Sequence, residues 1–461
     1  MDCLLIDFQN VGCGGFGVLS LASSLKSKGY SCSVVGSTSI VDVLKNKERF
    51  MRTLIDERPK IVGLSVMTQY ADHINEVTSF VRSALGSVPI LIGGYHASTF
   101  REQIFIMHRE IDYIFAGDAD ETLPAFLKSY FEGCAVDGPG VLSRSQWANG
   151  GRVVVSVVED IDGLPFYDES LIHENYSEIV RYGHPSVPSP SRYVLFSRGC
   201  PFKCSFCAMQ DDGGFRSKVR MYSSRKVVDN LSDMVQSMGL KGVSFLDDNF
   251  CLKKNWAHEV CDGIKSRELG ITWQAQVRAD LADKDLFKKM YDSGCRVVVI
   301  TIESGNDRIR NDVMNKKTTR RQIEAAYDMA RDAGMLIQGT LMLGSPTERA
   351  DECIDSIDFF RKMDPDWAGV LLTTLLPGTC MFEKYAKDWK YGSFSNFDIF
   401  NTEKRYELGA RDGVFHRMEN DFLLSRLREL RAEYDYATRK QDRNRNLRRM
   451  ATRNWMDGTW A

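Results

Sequence analysis

Nothing in this chain of 461 residues is apolar over the roughly twenty consecutive positions that a membrane-spanning helix requires. Its first residues also lack the basic region and long apolar stretch of a signal peptide. Neither sign of charge is in excess. The 60 Lys and Arg against 62 Asp and Glu leave a net charge of −2, which argues against general binding of nucleic-acid phosphates. There is no internal repeat at a solenoid period and no low-complexity tract. What is there, 43% hydrophobic and 26% charged residues, is the composition of a globular chain, and the length predicts two or three folded units. A soluble protein of the cytoplasm is expected. In that compartment twelve cysteines indicate metal, redox chemistry or core packing rather than a disulfide framework.

Short apolar runs at 4–6, 33–35, 61–64, 90–92 and 113–115 alternate with helical segments. Continuous runs of this length suit a parallel sheet buried on both faces, so residues 1–140 are expected to form a doubly wound, Rossmann-like α/β domain. Ligands of that architecture sit beyond the carboxyl ends of the strands. Gly12, Gly14, Gly15 and Gly17 follow the first run and Gly93 and Gly94 the fourth. A linker rich in Pro, Gly and Ser is expected over 141–190. A second alternation, with runs at 193–197, 243–247, 271–278, 296–302, 336–343 and 368–375, predicts a partial or complete parallel (β/α)6 barrel over 191–380. Between its strands Ile323, Ala326, Tyr327 and Ala330 recur at helical spacing. From 381 to 461 the period is lost. A cluster of Trp389, Tyr391, Phe394, Phe397 and Phe400 is followed by an Arg-rich helical segment at about 421–453, so this region is expected to be mainly helical.

Cys200, Cys204 and Cys207 stand directly after the first barrel run, flanked by Gly199 and Phe206. Three soft sulfur ligands so close together suit one corner of an iron–sulfur cluster. Structural zinc wants four ligands, and no fourth Cys or His lies nearby, the next cysteine being Cys251. With an aromatic before the last cysteine, the CxxxCxxC run resembles the hallmark of the radical S-adenosylmethionine (SAM) superfamily. Later segments, residues 245–250, 301–305 and 341–348, follow in that family's order.

The resemblance implies a 4Fe–4S cluster on the three cysteines, with one iron open to the amino and carboxylate groups of SAM. It places Asp247 and Asp248 at the element that holds the methionyl amino group, although two acidic residues replace the family's glycines there. It assigns Glu303, followed by Ser304, to the ribose hydroxyls, a task suited to a carboxylate's two acceptor oxygens. Gly344 then lets the backbone approach the adenine. Arg278, at the end of the third barrel run, either clamps the SAM carboxylate or belongs to a structural ion pair.

The first domain resembles the cobalamin-binding module of cobalamin-dependent radical SAM enzymes. Where many cobalamin proteins carry Asp-x-His-x-x-Gly, this chain has Asp7 and Gly12 but Gln9 in the histidine's place. An amide is a poor cobalt ligand beside imidazole, so the lower face of cobalamin is expected without a protein histidine. The resemblance implies cobalamin contacts from Gly12 to Gly17 and from Ser65, Met67, Thr68, Gly93, Gly94, Tyr95 and His96. His96 is expected to line the nucleotide tail rather than to bind cobalt. Together these features imply a cobalamin-dependent radical SAM methyltransferase. One SAM methylates cobalamin, and a second is cleaved so that its adenosyl radical activates a substrate carbon, which then collects the methyl group. The alternative on the same cofactors is cyclisation, ring contraction or oxygenation. From another class comes an iron–sulfur electron carrier or a cobalamin sensor. A small-molecule substrate and an electron donor such as flavodoxin or ferredoxin are the partners implied. The aromatic cluster at 389–400 is placed either to cover the barrel mouth or to pack on its outer helices. Arg443, Arg445, Arg448 and Arg449 either attract an anionic substrate or form a solvated face.

Overall fold

The computed structural model describes residues 1–10, 15–37, 40–136, 138–179, 186–208, 216–386 and 420–435. They divide into two compact units, Met1–Tyr182 with Asp211–Tyr222, and Gly183–Gln210 with Ser223–Ala461.

The first unit is built on strands β1 (Cys3–Asn10), β2 (Cys32–Ser37), β3 (Ile61–Ser65), β4 (Ile90–Gly93), β5 (Tyr113–Phe115) and β6 (Val141–Ser143). Their order in the sheet is β2-β1-β3-β4-β5-β6. The first five are parallel, and β6 runs antiparallel to β5. Successive residues of a strand point to opposite faces, and both members of the pairs Val34–Val35 and Ile61–Val62 are 0% exposed. Both faces are therefore covered, as the continuous apolar runs predicted. The chain reverses direction across the sheet between β1 and β3, the place where doubly wound sheets open a crevice at their strand ends. Strand β6 has only three residues, too few for a periodic signal, and periodicity alone does not reveal it. Residues 141–173 pack onto this unit: Ile172 bridges Val34, and His173 Nε2 lies 3.0 Å from Glu57 Oε1.

The second unit carries β7 (Ser191–Val194), β8 (Gly242–Phe245), β9 (Thr272–Val277), β10 (Cys295–Glu303), β11 (Leu336–Leu343) and β12 (Trp367–Leu372). All neighbours are parallel and the sheet order follows the chain, from β7 at one edge to β12 at the other. The result is a partial barrel. Helices Ser224–Met238, Lys254–Ser266, Lys284–Asp292, Arg320–Asp332 and Ala350–Met363 form the crossovers. Their starts are readable in the sequence. Ser223 accepts from the Lys226 amide, Asp283 from Leu286, and Thr319 forms a capping box with Gln322. Trp273, 0% exposed, anchors the core with an edge-on contact to Phe245 and a tilted one to Phe250, and its indole N–H donates to the Ser293 carbonyl at 3.0 Å.

Strand β11 shows how the sheet makes a site. Ile337, Leu341 and Leu343 are buried on one face, while Gln338, Thr340 and Met342 alternate on the other. At the opposite end of the logic lies the edge. Helix Asn420–Glu433 covers β12: Arg431 Nε donates to the Val370 carbonyl at 3.0 Å, and Ala368 N to the Tyr434 carbonyl at 3.2 Å. Arg361 joins the same helix through Glu429 and Glu433 at 2.7 and 2.8 Å. An uncovered edge of this kind invites unwanted pairing, and the helix blunts it. The aromatic cluster at 389–400 and Arg443, Arg445, Arg448 and Arg449 lie outside the described residues.

Candidate functional site

In the second unit every sequence-predicted site residue falls at or just past the carboxyl end of a strand. The cysteine loop follows β7, Asp247 and Asp248 follow β8, Arg278 follows β9, Glu303 and Ser304 end β10, and Gly344 follows β11. The loop is held by backbone contacts. Ser205 N donates to the Met314 carbonyl at 2.8 Å, Ser205 Oγ to Val313 at 2.6 Å, and Met381 N to the Ser205 carbonyl at 2.8 Å. Cys204 is buried, and Cys200 and Cys207 are half-buried. Burial pushes the Cys200 thiol above its usual range. Among the described residues no three His, Cys, Asp or Glu side chains converge on one point. A cluster asks for something else, one thiolate for each of three irons. Phe206 packs on an apolar group that includes Ile309, Val313, Met314, Leu375 and Met381.

Asp247 is 0% exposed. Its Oδ1 accepts from Phe196 N at 3.0 Å and from Ser197 Oγ at 2.5 Å, while its buried Oδ2 has no partner. Burial pushes its carboxyl up to about 7. The side-chain amide of Asn249, two residues on, is also buried with neither atom paired. Buried polar atoms without partners are rare, and each calls for an explanation. Asp248 between them is exposed.

Glu303 has a left-handed backbone, with φ of 62°, a strained conformation for a residue with a side chain. Its Oε1 receives Lys316 Nζ at 2.8 Å and its Oε2 receives Thr340 Oγ1 at 3.3 Å. Lys316, itself buried, also reaches Thr301 Oγ1 at 2.5 Å. Arg310, 0% exposed, shapes the loop beyond: it donates to the carbonyls of Ser304 (2.8 Å), Gly305 (3.1 Å) and Thr318 (2.8 Å) and pairs with Asp307. Ser304 Oγ is spent on Ser356 Oγ at 2.8 Å. Gly344 takes φ of 72°, open to glycine without cost. Glu348 closes that loop by accepting from Ser345 N at 2.9 Å. Arg278 donates to Cys204 Sγ at 3.5 Å and to the Lys316 carbonyl at 2.7 Å.

In the first unit Ser65, Met67 and Thr68 continue β3, and Gly93, Gly94, Tyr95 and His96 continue β4, its sheet neighbour. Gly94 has φ of 85°, and a Cβ there would lie 2.9 Å from Val66 N and O. The His96 ring is 0% exposed, 3.4 Å from Thr68 Oγ1, and burial lowers its pKa to about 3, so it stays neutral. Tyr95 is half-buried beneath the Arg216 guanidinium, 4.4 Å from the ring centroid. Gly15 caps helix Phe16–Ser27 with φ of 43°. Gln9 lies on β1, and Gly12 and Gly14 fall outside the described residues. Arg220 reaches Asp118 and the Val158 carbonyl (2.7 Å), drawing residues 216–222 onto this unit.

Residues 194–360 match the family model of the Radical SAM superfamily, and residues 13–127 match that of the B12 binding domain. The chain therefore carries a radical SAM domain and a B12-binding domain. An uncharacterised methyltransferase of Pyrococcus horikoshii is 29% identical over 355 residues, 76% of this chain and 72% of that protein. The anaerobic magnesium-protoporphyrin IX monomethyl ester cyclase of Rubrivivax gelatinosus is 22% identical over 433 residues, 92% of this chain and 76% of that one. In fold, the radical SAM methyltransferase TsrM of Kitasatospora setae superposes with a TM-score of 0.68 at 19% identity, over 84% of this chain and 76% of that chain. The radical SAM domain brings a 4Fe–4S cluster and SAM, and the B12-binding domain brings cobalamin. None of its described helices is long and apolar enough to cross a membrane.

Sequence reasoning did not single out Lys316, Ser197, Thr301, Thr340 or Arg310. The two threonines carry a weak signal, being polar positions within largely apolar strands. Lys316 carries none, since it stands beside Lys317, which is exposed.

Proposed function

We propose that this protein is a cobalamin-dependent methyltransferase that places a methyl group on an unactivated carbon of a small-molecule substrate. The observation that carries the reading is the presence in one chain of a cysteine loop at the strand ends of a parallel partial barrel and of a doubly wound B12-binding unit. The methyltransferase relative from Pyrococcus horikoshii supports it. When bound, the cofactors supply one-electron chemistry and a transferable methyl group, and the protein supplies position and exclusion of water. Cys200, Cys204 and Cys207 hold the cluster. Asp247, through its unpaired Oδ2, and Asp248 receive the amino group of SAM. Glu303, oriented by Lys316 and Thr340, accepts from the ribose hydroxyls, and the glycine at 344 lets the backbone approach the adenine. Ser65, Met67, Thr68, Gly93, Gly94 and Tyr95 border the cobalamin. Gln9 leaves its lower face without a protein imidazole. A one-electron donor such as flavodoxin or ferredoxin supplies the electrons.

The cyclase relative, which aligns with 92% of this chain, favours a second reading in which the same cofactors close a ring without methyl transfer. One experiment separates the two. The anaerobically reconstituted, reduced protein is given methyl-deuterated SAM and extracts of its native host. Deuterium in a product methyl group establishes methylation. 5′-Deoxyadenosine formed without label in any product supports the cyclase reading. Absence of 5′-deoxyadenosine from a protein that holds a reduced cluster would sink both.

A further inference from the structure

Arg278 has almost no donor to spare. Only 7% exposed, it gives Nε to Asp280 Oδ1 at 3.0 Å and Nη2 to Asp280 Oδ2 at 3.1 Å. Nη2 also donates to the Lys316 carbonyl at 2.7 Å, and Nη1 to Cys204 Sγ at 3.5 Å. Its central carbon sits 3.6 Å from the centroid of the Phe202 ring. A carboxylate clamp needs two parallel N–H groups on one edge of the guanidinium. One edge here is filled by Asp280, and the other is divided between a carbonyl and a sulfur.

We propose that Arg278 is a positioning residue of the cluster, holding the Cys204 sulfur and lending it positive charge, and that it does not clamp the carboxylate of SAM. The surroundings are built for this. Lys316 presents its carbonyl to Arg278 while its ammonium is tied to Glu303 and Thr301. The segment carrying Lys316 is stitched to the cysteine loop, through Asn315 Nδ2 on the Lys203 carbonyl at 2.5 Å and Ser205 N on the Met314 carbonyl at 2.8 Å. Hydrogen bonds and positive charge at cluster sulfurs set the reduction potential, because they favour the more negative, reduced state. One electron from the reductant takes the cluster from its 2+ to its 1+ state, and the added charge falls beside the guanidinium. The inference rests on the three cysteines being the cluster ligands.

The test is a mediated dithionite titration of the reconstituted full-length protein in the absence of SAM, followed by electron paramagnetic resonance, with SAM affinity measured separately by equilibrium dialysis. Arg278→Gln is expected to keep its iron and to titrate at a more negative potential; a tenfold poorer hold on the electron is about 59 mV for a one-electron couple. Arg278→Lys, which keeps charge but loses the fork, should fall between Gln and the parent. Asp280→Asn, which removes the carboxylate that neutralises Arg278 and leaves the guanidinium on the sulfur, should shift the potential the opposite way, to less negative values. If Arg278→Gln cannot retain iron while Asp280→Asn does, that also supports a role at the cluster, since a SAM clamp is not needed to seat iron. An unchanged potential in all three variants, with SAM binding weakened in Arg278→Gln, would overturn the inference. A parent protein that takes up no 4Fe–4S cluster would instead remove the cysteine assignment on which it stands.

Discussion

Asp247→Asn should make this protein more stable at pH 8 and less stable at pH 4. Asp247 is 0% exposed, and burial raises its carboxyl from the ordinary 3.8 to about 7. Below 3.8 the carboxyl is protonated in both the folded and unfolded chain, and its titration costs nothing. Between 3.8 and about 7 the unfolded chain has released the proton and the folded chain still holds it, so stability falls as the pH rises. At about 1.4 kcal/mol per pH unit the accumulated cost is about 4 kcal/mol at pH 8. Asparagine cannot ionise, and its Oδ1 accepts the same bonds from Phe196 N and Ser197 Oγ. Its amide nitrogen inherits the unpaired position of Oδ2, a penalty of about 1–3 kcal/mol. The net gain at pH 8 is thus about 1–3 kcal/mol. Urea unfolding of the cluster-free protein between pH 4 and pH 8 measures it. Glu348, which burial also raises to about 7, is present in both proteins and cancels in the difference. Parallel pH profiles for parent and variant would refute the reasoning. The same variant should bind SAM more weakly, since the site keeps a destabilised carboxylate for a cation to meet.

Cys200→Ala, Cys204→Ala and Cys207→Ala should each abolish iron–sulfur absorbance and 5′-deoxyadenosine formation, whereas Cys251→Ala and Cys295→Ala, both 0% exposed in the core, should keep the cluster and lose about 1–2 kcal/mol in urea unfolding. Lys316→Met strands the buried Glu303 carboxylate and should cost about 3 kcal/mol; combined with Glu303→Gln the loss should be well short of additive, as a double-mutant cycle will report. Gly94→Ala forces a Cβ to 2.9 Å from the Val66 backbone at φ of 85°, so it should lower both thermal stability, by more than about 1 kcal/mol, and cobalamin uptake measured by absorbance. Gln9→Ala should leave cobalamin uptake intact, and the paramagnetic spectrum of the bound cob(II)alamin should lack nitrogen coupling from a protein imidazole.

The sequence by itself determined the kind of protein this is. Three cysteines within eight residues, apolar runs of strand length and turn glycines are local features, and local features need no fold to be read. They placed the six strands of the second unit's main sheet and, among the described residues, five of the six in the first unit's main sheet; β6, three residues long, left no period to detect. The spacing also put each site residue at a strand end, because in a parallel sheet the chain order of strands and loops repeats regularly. Only the tertiary structure decided what those residues touch. Arg278 meets a sulfur 74 positions away, and Asp247 meets Ser197 at a separation of 50. In the run Asn315-Lys316-Lys317, the middle lysine is buried on Glu303 while the next is exposed, a difference that no composition or period encodes. The burial of the His96 ring, 0% exposed, is likewise set by the segments packed around it. The physical reason is the same in each case. A side chain's partners depend on which distant segments the sheet order and its crossovers bring alongside, and on whether water is shut out when they arrive.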